Sequence, residues 1–191
     1  MRNVLVRGST PNDVFGLKLM WNYFGDVVTR LRELPGCEGL EPHEVLPAVF
    51  PAMRYVWIMR TNKVRQAVSW AIAAQTNIYA AFQLEERDVA REPAFDFRLI
   101  DNLHGLVLKG EAGWKRYFES AGVEPLLVEY EKLAADYEGT ALAVLRHIGV
   151  EPPDPLFTGE PRMSRQATAL NDEWVHRYME MKRSQDEVVE E

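Results

Sequence analysis

The chain has a single cysteine, Cys37, in 191 residues. A lone thiol can form neither an internal disulfide nor a cysteine-based zinc site, which suits a reducing cytoplasm. No apolar run reaches about 18 residues, so no membrane-spanning helix is expected. The opening Met-Arg-Asn-Val-Leu-Val-Arg-Gly holds no apolar stretch of signal-peptide length. Positive charge is in deficit: the formal net charge is −7. Such a balance argues against nonspecific nucleic-acid binding, which needs a basic face. A local basic pocket for a nucleotide stays open, because a field depends on placement rather than on the sum. Two familiar motifs are also missing. No G-x-x-x-x-G-K-[ST] occurs, and His43-Glu44 is followed by Pro47 with no second histidine, which excludes the zinc-protease pattern. His104, His147 and His176 match no metal spacing, so no metal is expected.

Apolar residues make up 47% and charged residues 27% of the chain, as in an ordinary globular protein with a real core. The pattern alternates short apolar strands with amphipathic helices. Val14 to Met20 reads as a strand and Trp21 to Leu34 as a helix closed by Pro35-Gly36. A Pro-punctuated connection follows, with one helical turn near Val45. Tyr55 to Met59 is the next strand, Lys63 to Gln83 a long helix, and Glu85 to Pro93 a surface loop. Phe95 to Ala121 reads helical, with Leu99, Leu103, Leu106, Trp114 and Phe118 as its apolar face. Leu126 to Tyr130 is a third strand and Glu131 to Ile148 a third amphipathic helix. A Pro-rich loop over 151–162 leads to a last helix, Asp172 to Lys182, and an acidic tail at 184–191. Short buried strands between helices predict a three-layer α/β fold with a parallel sheet.

The most informative stretch is Arg54 to Trp70, Arg-Tyr-Val-Trp-Ile-Met-Arg-Thr-Asn-Lys-Val-Arg-Gln-Ala-Val-Ser-Trp. A strand covered on both faces breaks here into a helix that Thr61 or Asn62 can cap. The first free N–H groups of that helix point back toward the strand end. An anion there would meet the helix N-terminus, the guanidinium groups of Arg60 and Arg65, and the Ser69 hydroxyl one turn further in. Arg65 and Ser69 are four apart and share a helix face. The arrangement suits a phosphate. Spacing alone also fits an ordinary strand-to-helix turn with solvated arginines.

Four segments carry a family resemblance: Thr10-Pro-Asn-Asp-Val-Phe-Gly-Leu-Lys-Leu-Met-Trp, the Arg54 to Trp70 stretch, Glu124-Pro-Leu-Leu-Val-Glu-Tyr-Glu-Lys-Leu, and Arg165-Gln-Ala-Thr-Ala-Leu-Asn-Asp-Glu-Trp-Val. In these the chain resembles the bacterial sulfotransferases related to trehalose 2-sulfotransferase. The resemblance implies a P-loop-like sulfotransferase fold over residues 1–183. It implies transfer of a sulfuryl group from 3′-phosphoadenosine-5′-phosphosulfate to a hydroxyl of a carbohydrate or similar acceptor. It also implies that Arg60 and Ser69 bind the donor's 3′-phosphate. Many relatives have two adjacent arginines where this chain has Arg60-Thr61, so the guanidinium that serves the phosphate is open between Arg60 and Arg65. Lys18, in an apolar segment, is either a contact to the sulfuryl side or a snorkelling edge residue. Arg165 either reaches the nucleotide or is a surface arginine. Glu131 reads as structural, placed by the dipole of the helix it begins.

The resemblance also implies a first strand, a Gly- and Ser/Thr-rich loop for the 5′-phosphosulfate, a following helix, and a glutamate general base. This chain offers only Arg7-Gly-Ser-Thr, which Pro11 follows at once, so that string reads as a linker. The competing reading is a catalytically inactive truncated or split remnant that binds nucleotide or serves as an interaction partner. A P-loop kinase shares the fold class but lacks its loop. A sheet without its central strand exposes edges and apolar faces. The isolated chain is therefore expected to be a homo-oligomer, to be completed by an N-terminal polypeptide, or to be poorly stable. Sedimentation together with a thermal melt checks this, and a monodisperse, cooperatively melting monomer would contradict it.

Overall fold

The computed structural model describes residues 8–79, 92–152 and 169–189. The chain divides into two compact units, Met1–Pro51 and Ala52–Glu191.

In the first unit, helix α1 (Trp21–Leu31) buries Phe24, Val28 and Leu31 along one stripe. Helix α2 (Pro42–Val49) starts where proline is tolerated at the first turn and buries Val45 and Leu46. It is a full helix where a single turn is expected from the sequence. The Glu41 N–H donates to the Glu44 carboxylate at 2.8 Å and fixes its start. The expected strand from Val14 to Met20 does not form. Those residues are extended chain with one isolated antiparallel bridge, Phe15 to Ser9. The bridge closes a turn in which Asp13 takes a φ of 59°. The physical reason is the lack of cover. Leu17 is 54% exposed, and Lys18 is exposed as well, so the apolar run that reads as a strand has no second layer among the described residues.

The second unit is a mixed α/β body. In chain order it contains β1 (Val56–Met59), α3 (Lys63–Thr76), α4 (Phe97–Ala121), β2 (Leu126–Glu129), α5 (Tyr130–Ala135), α6 (Tyr137–Ile148) and α7 (Ala169–Val189). β1 and β2 pair in parallel, with Val56 opposite Leu126 and Met59 opposite Glu129. A parallel pair requires a crossover, and α3 and α4 supply it. The start of β1 is anchored at two points. The Tyr55 carbonyl lies 3.0 Å from Nε2 of His147, and the Tyr55 hydroxyl lies 2.9 Å from that of Tyr117. Burial pushes the Tyr55 phenol upward, and burial together with the Tyr55 hydrogen bond pushes Tyr117 further up, so both stay protonated as hydrogen-bonding partners.

The core of this unit gathers Ala67, Val68 and Ala71 of α3, Ile100 and Leu103 of α4, and Trp174 and Tyr178 of α7. Alanines at 67 and 71, one turn apart, let the neighbouring helices come close to α3. Local signals set the element ends. The Asn62 side chain caps α3 by accepting from the Arg65 N–H at 2.8 Å, and Asn77 ends it in the left-handed region. Asp96 caps α4 through the Leu99 N–H at 3.0 Å. The α4 core stripe is Ile100, Leu103, Val107, Tyr117 and Phe118. Of the expected face, Leu103 and Phe118 are buried and Leu99 and Trp114 are half-buried beside them, while Leu106 is left 49% exposed. The helix expected from Glu131 to Ile148 is two helices, because Asp136 caps the second by accepting from the Gly139 N–H at 2.9 Å. The last helix runs beyond Lys182 to Val189 and takes in much of the acidic tail. Ile100 is fully buried where α3, α4 and α7 meet. Truncation to Ile100→Ala is expected to cost about 2–5 kcal/mol, read as a lowered midpoint in urea unfolding.

Candidate anion-binding site

The parallel register of β1 and β2 carries on past the strand ends. Met59 lies opposite Glu129, so the residues that follow, Arg60 and Tyr130, emerge side by side. The Arg60 guanidinium sits over the Tyr130 ring, 3.8 Å from its centroid. This cation–π contact fixes the plane of a long side chain. One residue further, the Glu131 carboxylate reaches across to Thr61. It accepts from the Thr61 N–H at 3.1 Å and lies 3.4 Å from the Thr61 hydroxyl.

Helix α3 then delivers Ser69. Arg60 Nη1 lies 3.5 Å from Ser69 Oγ, a long hydrogen bond in a half-buried setting. Ser69 Oγ also accepts from Nδ2 of Asn171 at 3.1 Å. Asn171 lies in the first turn of α7, and the next residue, Asp172, pairs with the Arg65 guanidinium. That pair is partly exposed, so its stabilising effect is slight. It nevertheless places a carboxylate on the charge that a ligand would seek.

The structure thus brings Arg60 and Ser69 together and ties Arg65 to Asp172. Lys18 stands exposed on extended chain in the first unit, not on a strand. Arg165 lies outside the described residues, as does most of the loop expected from Glu85 to Pro93. The helix N-terminus is capped by Asn62 as expected, and the Thr61 N–H just ahead of it bonds to Glu131. Burial pulls the Glu131 carboxyl upward. Hydrogen bonds from the N–H groups of Thr61, Glu131 itself and Asn62, and from the Thr61 hydroxyl, outweigh it and leave the pKa below the usual value. A cleft of about 350 Å³ opens elsewhere, between Trp57 and the Lys115–Phe118–Gly122 end of α4, and none of the site candidates lines it.

Sequence reasoning missed the roles of Tyr130, Asn171 and Asp172. Tyr130 follows from strand pairing, once β1 and β2 are aligned end to end. Asn171 had a weaker signal: it falls on the stripe of Trp174 and Tyr178, a polar residue in an apolar row, and all three are buried. Asp172 had none, since an exposed acid in a first helical turn needs no partner.

A strand end and the helix that follows it bring an arginine and a serine together at one junction of an α/β body. The family model described as Stf0 sulphotransferase matches residues 1–181, and the chain belongs to that family. It is 33% identical over 174 residues to the trehalose 2-sulfotransferase of Mycolicibacterium smegmatis, covering 90% of this chain and 62% of that protein. It is 31% identical over 179 residues to the trehalose 2-sulfotransferase of Mycobacterium tuberculosis, covering 92% of this chain and 64% of that protein. The chain therefore spans less than two thirds of the length of these curated relatives.

The depressed Glu131 pKa carries a signed consequence. A carboxyl held below its ordinary value of 4.5 contributes stability above that pH, and the contribution is lost as pH falls through the folded-state value. Glu131→Gln should therefore narrow the stability difference between roughly pH 7 and pH 3 relative to the unsubstituted chain. Denaturant midpoints across that range check it, and parallel curves for the two proteins would refute it.

Proposed function

We propose that the chain holds the donor nucleotide of a sulfotransferase reaction at the end of β1, with Arg60 and Ser69 gripping the 3′-phosphate of 3′-phosphoadenosine-5′-phosphosulfate. The observation that carries this reading is the convergence of Arg60 Nη1 and Ser69 Oγ at 3.5 Å, in a chain of this family. A guanidinium locked over a ring offers a phosphate two parallel N–H donors, and the hydroxyl adds a third. Arg65 joins them when the anion displaces Asp172.

The acceptor is a hydroxyl of a carbohydrate or similar small molecule, a class supported by the trehalose in the relatives' name. Its oxygen attacks sulfur in line, the bond from sulfur to the 5′-phosphate oxygen breaks, and adenosine 3′,5′-bisphosphate leaves with that electron pair. The proton of the acceptor passes to a base outside the residues named here. Catalysis rests on positioning and fixed positive charge. The family match from residue 1 to 181 supports one sulfotransferase-like domain over 1–183 with an acidic tail at 184–191. That domain has a three-layer parallel sheet of the P-loop-like type. The lone thiol supports work in the cytoplasm.

Adenosine 3′,5′-bisphosphate at about a hundred times its Kd should stabilise the chain by about 2.7 kcal/mol, a rise of several degrees in Tm, while ATP at equal concentration should not. Arg60→Ala and Ser69→Ala should each remove most of the shift. A melt indifferent to the bisphosphate, or equally responsive to ATP, would sink the assignment.

A further inference from the structure

Asn171 is 5% exposed, the one buried non-aromatic polar side chain among the described residues. Burying an amide costs free energy unless it is hydrogen-bonded, and here its Nδ2 donates to Ser69 Oγ at 3.1 Å. A serine hydroxyl has one hydrogen to give and two lone pairs to receive. Both contacts that Ser69 makes among the described residues use the lone pairs: Asn171 Nδ2 on one side and Arg60 Nη1 on the other. The same helix displays the alternative. Thr76 turns its hydroxyl back and donates to the Ile72 carbonyl, four residues earlier, at 2.9 Å. A serine left to itself in a helix has the same option, and its hydrogen is then spent on the backbone.

From this geometry we infer that Asn171 is a positioning residue. By saturating the acceptor side of Ser69, it turns the hydroxyl hydrogen toward the space in front of Arg60, so that Ser69 meets an incoming phosphate oxygen as a donor. This rests on the assignment of Arg60 and Ser69 to a phosphate. It adds that the anion site is completed by α7, from a residue 102 positions further along the chain than Ser69. The amide is neutral, so it acts through hydrogen orientation and not through charge. Asp172 and Arg65, the charged pair next to it, stay as they are when Asn171 is changed to another neutral residue.

The test is a binding cycle on the full chain with adenosine 3′,5′-bisphosphate as the probe, using Ser69→Ala, Asn171→Leu and the double variant. Leucine keeps the volume and removes the donor. Asn171→Leu is expected to weaken binding about three- to ten-fold, the range for one hydrogen bond to a charged group made less well. In the Ser69→Ala background the same substitution is expected to change nothing further. A merely structural role for Asn171 would instead give losses that multiply. Multiplying losses, or an Asn171→Leu chain that binds as well as the unsubstituted one, would overturn the inference and leave the phosphate assignment intact. An unsubstituted chain that does not bind, or binds equally well as Ser69→Ala, would overturn both. Should Asn171→Leu fail to fold, Asn171→Ala takes its place with the same expectations.

Discussion

The parallel pairing of β1 with β2 is the constraint on which the candidate site depends. With Met59 opposite Glu129, the two chains leave the sheet together. Arg60 must then lie beside Tyr130, and Thr61 beside Glu131. A slip of one residue would send each of these side chains to the opposite face of the sheet. The register is itself held from the other end, where Tyr55 is bonded to Tyr117 and its carbonyl meets His147. A short sheet with both ends tied can place a guanidinium with little freedom, and the chemistry proposed for the junction needs that more than it needs a deep pocket.

Much of this was legible in the sequence where local signals are strong. The Tyr55 strand, the helix ending at Ala121 and the Leu126 strand each carry a run of apolar residues and a cap or stop, and each forms close to its expected bounds. The helix from Lys63 starts as expected but stops at Thr76, short of Gln83, where Asn77 turns left-handed. Residues 14–20 misled because an apolar run alone says nothing about whether a partner strand and a covering layer exist. The helix after β2 misled because Asp136 is at once an ordinary polar residue and a start signal, and only the fold decides which. The α4 stripe was misjudged at Leu106 alone, since a helix rich in leucine offers more than one apolar position and packing selects among them.

The site divides along a similar line. Arg60 and Ser69 could be paired in advance because a strand end and the second turn of the following helix are close by geometry. The partners that modify them come from β2 and α7, across gaps that no spacing rule spans. Electrostatic partners were hidden for the same reason. Glu131 is an acid at the start of its own helix, as the sequence reads, and its carboxylate also serves Thr61 ahead of α3. The ion pair of Arg65 with Asp172 likewise joins two elements that local reading treats one at a time.

The stacking of Arg60 on Tyr130 bears on how tightly such a junction can hold anything. A free arginine surrenders substantial rotamer entropy when it closes on a ligand. Here the ring has already immobilised the guanidinium plane, so that loss falls on folding and not on association. A lysine in the same position would retain the charge but have no flat face to be clamped, and would arrive at each encounter still disordered.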